Sequence, residues 1–485
     1  MDASSLIEIG TPPNENARFN RLSEQQINRI HAASLEILER IGVRVYLPEA
    51  VELFRAGGAR VEDGNLVHIP AARVEWALKS APSQVTLYNQ HGDPAVVLTG
   101  GRCHYGPGSD CLNIIDHRTG ERRRPLLQDV AEGARLCDGL NNIDFVMSMV
   151  LPTDVDQTIA DVYQMQVMLA NTIKPIVYVS YEASGLVDAV EMAEAVVGGA
   201  EALRAKPLLT CYINVISGAV HNDVGLQKLL YLAGKGLPIL YIPGSSGGVT
   251  SPITMAGAVA LDLAGGLAGL TLSQLKQEGT PYIMSAMDPA ALDMRTMVGP
   301  YAYPERGIIR AMAQSYRLPS FSLAGGSDAK VVDQQAAAEA ALTLLADTLM
   351  GGNLIHDLGY LESGLTFSFA QLAICNEIVS WIKAYLKPIE VSEETLALDL
   401  IAEMGAHGQY LKTDHTRKHV RESWYPQLFE RGAFTDWMQK GGQTLAERGA
   451  ARVDKILAEH TVEPLPAEAQ ARLAEIVARA EAKAG

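Results

Sequence analysis

Tyrosines, methionines and carboxylates recur just after a series of short apolar segments. Along the chain these positions hold Tyr105 and Asp110, Met147 and Met149, Tyr178, Tyr181 and Glu182, Tyr212 and Asn214, Tyr241, Met287 and Asp288, Asp328 and Lys330, and finally His356, Asp357, Tyr360 and Glu362. Aromatic residues are only 6% of the chain, so their gathering here carries information. Ring faces attract cations, a methylated ammonium among them, and the acids at the same positions add negative potential. The predicted chemistry is capture of a cation between rings and carboxylates. His356 is the one histidine that ends such a segment, and imidazole titrates near neutral pH. Two glycine-rich turns lie nearby, Gly244-Ser245-Ser246-Gly247-Gly248 and Gly325-Gly326-Ser327-Asp328-Ala329-Lys330. The first spells GxSxG, but a nucleophile elbow belongs to a hydrolase sheet, and the helix behind this turn lacks the Walker lysine of a phosphate loop. Both read as tight turns that let a large group approach the backbone. No set of His, Cys and carboxylate has metal-ligand spacing, so no metal is expected on the chain.

A beat of short strand and longer helix, from residue 102 to about 387, must position these groups. Strands are predicted over 102–105, 143–149, 174–180, 206–215, 237–243, 281–286, 319–324 and 352–357, with helical stretches such as 158–171, 223–234 and 332–350 between them. Strands alternating with helices pair in parallel through right-handed crossovers. Eight such units predict an α/β fold, a closed (β/α)₈ TIM barrel, whose active site sits on the loops after the strands' C-terminal ends. Alternate strand residues point outward, so about half of the strand tyrosines should pack against helices instead of facing a ligand.

The chain has 485 residues, more than the roughly 250 of one barrel. The expected division is an N-terminal α+β cap or oligomerisation region over 1–100, a catalytic barrel over 101–387 and a C-terminal helical extension over 388–485. In the first region Ser23 and Gln26 predict a capped helix over 22–41 ended by Gly42. Asp63-Gly64 predicts a hairpin, helices follow at 47–56 and 70–79, and short strands at 85–88 and 95–98. In the last region a polar cluster, Asp414, His415, Arg417, Lys418, His419 and Arg421, interrupts helical text, and 466–483 reads as a solvated or partner-packed helix. A net charge of −16 argues against nucleic acid and anionic membranes as partners. The five cysteines are scattered and odd in number, the pattern of reduced cytoplasmic thiols. The apolar stretch 253–275 approaches a membrane span in length, but it contains Asp262 and is rich in Ala and Gly, which suits a tightly packed barrel helix. Residues 1–10 lack a basic region followed by an apolar one, so no signal peptide is expected.

Three runs, Gly325 to Lys330, Asn353 to Gly359 (NLIHDLG) and Leu361 to Ser368 (LESGLTFS), resemble the trimethylamine methyltransferase superfamily, as does the opening pattern Leu22-Ser23, Gln26, Ile37-Leu38, Ile41-Gly42-Val43. The resemblance covers nearly the whole chain. It implies a TIM barrel that moves a methyl group from an amine to the cobalt of a corrinoid (a cobalamin-type cofactor) carried by a separate protein. Members that use trimethylamine carry pyrrolysine. This sequence is written wholly in the twenty standard residues, and so resembles the branch of the glycine betaine methyltransferase, others of which act on related quaternary amines. The chemistry agrees: a quaternary nitrogen leaves as a neutral amine, so the enzyme needs position more than an acid. Under this resemblance Tyr105, Tyr181, Tyr212 and Tyr241 are candidate cage walls, and Glu182 and Asn214 are further substrate-binding candidates. His356 and Asp328 are the catalytic candidates, His356 to orient a substrate carboxylate or shape the approach to cobalt. Gly244, Gly325, Ser327 and Lys330 would face the corrinoid. The expected partners are a small quaternary amine, a corrinoid protein and further copies in a homo-oligomer. Three alternatives stay open: a trimethylamine:corrinoid methyltransferase, a barrel lyase or isomerase using His356 and Asp328 without corrinoid, and a betaine-binding protein.

Overall fold

The protein is described by a computed structural model, which covers residues 18–484 and the pair Ile7–Glu8. The reading of residues 1–10 as free of a leader pattern lies largely outside the described residues. Seven strands form one parallel sheet: β1 (His104–Tyr105), β2 (Ile176–Val179), β3 (Leu209–Val215), β4 (Ile239–Pro243), β5 (Tyr282–Ser285), β6 (Ser320–Leu323) and β7 (Leu354–His356). Their order is β2-β3-β4-β5-β6-β7-β1, a curled sheet in which the last strand of the chain pairs with the first, Leu354 opposite His104 and Ile355 opposite Tyr105, while β1 and β2 stand at its two edges. Residues 143–149, expected as a strand, are bonded at single points instead. Val146 bridges in parallel to Ile176, and the Asp144 N–H donates to the Tyr105 carbonyl at 2.6 Å. The reason is local. The Tyr105 N–H donates to the Asp144 side chain at 2.9 Å in place of a ladder partner, and Met149 takes a left-handed backbone, φ +62°.

The strands are apolar on both faces, as parallel strands covered on both sides must be. One face packs on the helices α1 (Ala160–Asn171), α2 (Ala183–Val197), α3 (Asp223–Lys235), α4 (Met255–Lys276), α5 (Ile308–Ser315), α6 (Gln334–Leu349) and α7 (Phe369–Tyr385). Tyr105, Tyr178, Ile213, Tyr241, Tyr282 and Ile355 belong to that outer core. The other face builds a separate inner core of Phe145, Met147, Val177, Leu240, Ile242, Ile283, Phe321 and Leu354. A hairpin of Val85–Tyr88 and Pro94–Leu98 adds Val85, Leu87, Val96 and Leu98 to the same inner core. It therefore plugs the interior from the end opposite the strands' C-termini. Full burial of each such aliphatic or aromatic side chain stabilises by roughly 1.5–3 kcal/mol.

The N-terminal elements follow their local signals. Ser23 and Gln26 form a capping box on the helix Glu24–Glu36, which widens into a π-turn at Ile37–Ile41 and stops at Gly42, φ +83°. Arg60–Glu62 and Leu66–His68 pair around Asp63 and Gly64, both with positive φ, as a tight hairpin turn requires. These helices lie on α4, where Ser34 Oγ donates to the Ala260 carbonyl. That cover explains why α4 is apolar all round, as expected of a packed helix. At the other end, helices α8 (Leu445–Glu459) and α9 (Ala467–Ala484) return to the main body. α9 is docked and not solvated: Leu473, Ile476 and Val477 are buried, and Arg479 reaches Asp188 and Glu191 of α2 at 2.5 Å.

Candidate active site

Strand direction decides which of the candidate side chains meet. Along β3, Tyr212 and Asn214 share the inner face, while Cys211 and Ile213 point to the helices. On β7, His356 shares its face with Leu354 of the inner core. The rings of Tyr212, Phe321 and His356 come together across the interior, with centroids 5.5 Å apart for Tyr212 and Phe321, 6.1 Å for Tyr212 and His356, and 3.9 Å for the stacked Phe321 and His356. His356 Nδ1 lies 2.8 Å from the Ser322 carbonyl, which fixes the proton on Nδ1 and turns Nε2 toward Asp357, 3.3 Å away.

The loops after β1, β5 and β7 close over this cluster. Tyr301, from the long loop between β5 and α5, donates its hydroxyl to Asp357 Oδ2 at 2.5 Å. Tyr360 lies beside it, ring centroids 6.0 Å apart, and donates to the Ser109 carbonyl. Asp110 accepts from Ser148 at 3.0 Å and from Gln164 at 3.4 Å. Burial pushes the Asp110 carboxyl up to about 6, against the pull of those two hydrogen bonds. Burial also raises the Asp357 carboxyl, opposed by His356 and by the Tyr301 hydroxyl. The phenols of Tyr212, Tyr301 and Tyr360 are held well above their usual range by burial first and by the nearby Asp357 second or third, so these rings stay neutral. Asp110, Met149 and Asp357 all have positive φ, the left-handed backbone that non-glycine residues take at a cost of about 1–3 kcal/mol and that gathers at ligand sites.

Glycines make this packing possible. A Cβ on Gly106 would lie 2.5 Å from the Phe145 ring, one on Gly326 2.5 Å from the Tyr301 ring, and one on Gly108 2.1 Å from Asp357 Oδ1 and 2.3 Å from the Tyr360 phenol. These three glycines thus leave room for the protein's own rings.

Several expected residues stand elsewhere. Tyr105 points outward to Thr348 of α6, its hydroxyl 2.9 Å from Thr348 Oγ1. Tyr241 also points outward, 2.6 Å from Nδ1 of His221, whose imidazole burial pushes down to about 4. Neither is a cage wall, because each falls on the helix-facing phase of its strand. Asp328 is occupied in the fold: its carboxylate accepts the N–H groups of Tyr301 and Ala302 and the hydroxyl of Ser363. It holds the Tyr301 loop in place. Gly325 is buried, φ +84°, with Leu358 3.0 Å from its would-be Cβ, and Ser327 is buried on Glu339 at 2.6 Å, so neither is presented to a large ligand. Glu182 lies outside the ring cluster, in a cleft with Asp161, Asp188 and Lys483. Tyr181 stays near the site. Its backbone is held by Asp161 and Lys228, and its hydroxyl is buried without a hydrogen-bond partner close enough to Asp110 to feel its charge. Asn214, Gly244 and Lys330 are exposed, and Gly244 has open space at its Cα face. Tyr301 and Phe321 are the site residues not singled out in the sequence.

The outward placement of Tyr241 has a direct test. A Cβ on Gly269 of α4 would lie 2.4 Å from the Tyr241 ring. Gly269→Ala should therefore lower stability by about 1–3 kcal/mol in urea unfolding, with the kcat of folded enzyme unchanged. A neutral result would mean that the ring is not packed against α4.

Rings and buried carboxylates gathered at the strand ends of a parallel sheet define the class: an α/β protein with an aromatic, acidic cluster where this kind of fold carries its chemistry. Residues 3–485 match the family model of the trimethylamine methyltransferases (MTTB). The chain is 34% identical over 487 residues to trimethylamine methyltransferase MttB of Desulfitobacterium hafniense (strain DSM 10664 / DCB-2), covering 99% of this chain and 98% of that one. It is 31% identical over 473 residues to MttB1 of Methanosarcina acetivorans (96% and 95% covered), and 31% identical over 469 residues to the glycine betaine methyltransferase of D. hafniense strain Y51 (95% and 97% covered). The chain belongs to the trimethylamine methyltransferase family and is a methyltransferase.

Proposed function

We propose that the enzyme moves a methyl group from a quaternary amine, glycine betaine or a related betaine, to the cobalt of a corrinoid held by a separate protein. The observation that carries this reading is the cluster of Tyr181, Tyr212, Tyr301 and Tyr360 around Asp110 and Asp357. Neutral rings and buried acids suit a permanent cation. Asp328, which the lyase or isomerase alternative would use as an acid, is engaged by the Tyr301 and Ala302 N–H groups and the Ser363 hydroxyl, and a quaternary nitrogen needs no proton to leave. Tyr212 and its neighbours would bind the cation, Asn214 and His356 would orient the substrate carboxylate, and the closing Tyr301 loop would exclude water. The chemistry the corrinoid supplies is a strongly nucleophilic Co(I). Its approach fits this face: Gly244 is exposed, with the nearest side-chain atom 4.0 Å from its would-be Cβ. Ile216, Val249, Ile253, Met297, Val331 and Leu365 are exposed apolar side chains on the loops around it, a surface fit for a partner protein. Several of the relatives are named trimethylamine methyltransferases, and that substrate is the second reading.

The same reading treats the curled sheet as a closed (β/α)₈ barrel, with residues 143–149 completing the ring through Val146 and Asp144. It keeps the division at 1–100, 101–387 and 388–485, and places the chain in the cytoplasm, in keeping with five free thiols.

The test is methyl transfer followed through loss of Co(I) absorbance, with the corrinoid protein or reduced cobalamin and glycine betaine, proline betaine, carnitine, γ-butyrobetaine or trimethylamine. Turnover of one betaine and not of trimethylamine is expected. Turnover of trimethylamine alone would replace the reading by the second one, and betaine binding without transfer under either cobalt source would sink both.

A pH dependence follows from Asp110. The substrate is charged at every pH, so its affinity should fall as pH drops through about 6 and the Asp110 carboxylate takes up its proton, approaching tenfold per unit. Asp110→Asn should flatten that profile. If KM against pH is the same in the variant, Asp110 does not face the cation.

A further inference from the structure

Residues 386–444 leave the body of the protein after α7 and return to it at α8. The excursion is locally well formed: Ser392 and Thr413 cap short helices, and Glu394 gathers Lys418 at 2.6 Å and His419 at 3.3 Å. Its roots are firm, since Trp381 stacks on Trp424 at 5.8 Å and Glu377 accepts the Gln427 and Leu428 N–H groups. Yet Leu428 is the one buried residue between 386 and 444. Of the 27 exposed large apolar side chains among the described residues, 13 fall between Trp381 and Met438, with Ile389 89%, Leu411 81%, Val391 74%, Phe434 73% and Tyr385 72% exposed. A segment of this length with no core of its own does not recover the entropy of ordering it, which is about 1–2 kcal/mol per residue for the backbone alone. Something must cover it.

We infer that this arm is the contact surface between two copies of the chain. Three observations select a second copy. First, its charge is self-complementary. Residues 388–411 carry Glu390, Glu393, Glu394, Asp399 and Glu403 and no Lys or Arg, and the basic run Lys412, Arg417, Lys418 and Arg421 follows directly. Asp399, Glu403, Lys412 and Arg421 form no ion pair among the described residues. A two-fold contact sets the acidic run of one arm against the basic run of the other, and does so twice. Second, residues 381–440 hold eight basic and nine acidic side chains in a chain of net charge −16, so this is a place where two such chains can meet without strong repulsion. Third, the arm leaves from the wrong end for a partner that must reach the pocket. α7 starts beside the mouth, where the Ser368 N–H donates to Gly359, and ends where Lys383 donates to Asn142, ahead of residues 143–149. A stable contact takes roughly 800 Å² from each partner. Tyr385, Tyr425 and Phe434 alone supply on the order of 500 Å², at about 150–250 Å² per aromatic side chain.

The test is sedimentation of the full-length chain at low micromolar concentration. The expected mass is twice 52.2 kDa, or an even multiple of it. Ile389→Asp with Leu411→Asp should weaken the assembly at least about 100-fold, with far-UV circular dichroism unchanged. Because that variant puts charge at apolar positions, exposed charge reversals give a second measure. Asp399→Lys with Glu403→Lys, and Lys412→Glu with Arg421→Glu, should each give single chains alone and two-chain particles when mixed. A wild-type mass of one chain overturns the inference, as does an assembly indifferent to Ile389→Asp with Leu411→Asp. A mixture that stays single-chain overturns the charge pairing. Single chains whose 386–444 segment is protected from protease only by the corrinoid protein would assign the surface to that partner instead. None of these readouts depends on which amine is the substrate.

Discussion

Replacing Gly108 by alanine should remove most methyl transfer while the chain still folds. A Cβ there would lie 2.1 Å from Asp357 Oδ1 and 2.3 Å from the Tyr360 hydroxyl, distances no pair of atoms tolerates. Neither neighbour can simply retreat. Tyr360 is bonded to the Ser109 carbonyl, and Asp357 sits in a left-handed backbone, φ +79°, while receiving the Tyr301 hydroxyl. The strain must pass to the Tyr301–Asp357–Tyr360 group, which moves into the space proposed for the cation. Overpacking of this kind costs about 1–3 kcal/mol of stability. A displacement of about 1 Å in a positioning site costs on the order of 100-fold in rate. Gly299→Ala is the control, on the loop that carries Tyr301, with open space around the would-be Cβ. Activity and urea unfolding should separate the two variants, G108A losing both and G299A neither. An active G108A enzyme would mean that the site is looser than these distances say.

The strand and helix beat was legible because it is written in local chemistry. β-Branched apolar runs bounded by Gly and Pro gave seven strands of the sheet where they were expected. Residues 143–149 have the same composition, yet Asp144 turns its side chain onto the Tyr105 N–H and interrupts the ladder, a competition that hydropathy does not record. The phase of the tyrosines was less legible. Tyr241 lies between Leu240 and Ile242, both buried, so a strand covered on two sides offers no alternation to say which way the ring points. Tyr212 could have been placed, because Asn214 two residues on is polar and must face the open end. Tyr301 had no local signal at all: it lies in a loop, and its partner Asp357 is 56 residues away. Both glycine turns were recognised as places of close approach, but at Gly326 what approaches is the protein's own Tyr301 ring, which only the folded chain brings there, while Gly244 keeps its space.

Tyr212 should separate the ring from the hydroxyl. Its ring packs beside His356 and Phe321 and is held neutral by burial and by the nearby acids. If the ring face holds the methylated nitrogen, Tyr212→Phe keeps the attraction and should change kcat/KM by less than tenfold. Tyr212→Leu keeps apolar volume but removes the face. A desolvated cation–π contact contributes ~2 kcal/mol, so the loss should be about 30-fold. The charge disperses as the methyl group departs, so this contact is stronger in the bound substrate than in the transition state. The loss should therefore appear mainly in KM, with kcat reduced less or even raised. Asp357→Ala gives the contrast, since it removes the acceptor of the Tyr301 hydroxyl and should lower kcat through a loop that no longer closes. Equal losses in Tyr212→Phe and Tyr212→Leu would show that the hydroxyl matters and the face does not. A loss confined to kcat in Tyr212→Leu would move the cation away from this ring, toward Tyr181 and Asp110 on the other side of the mouth.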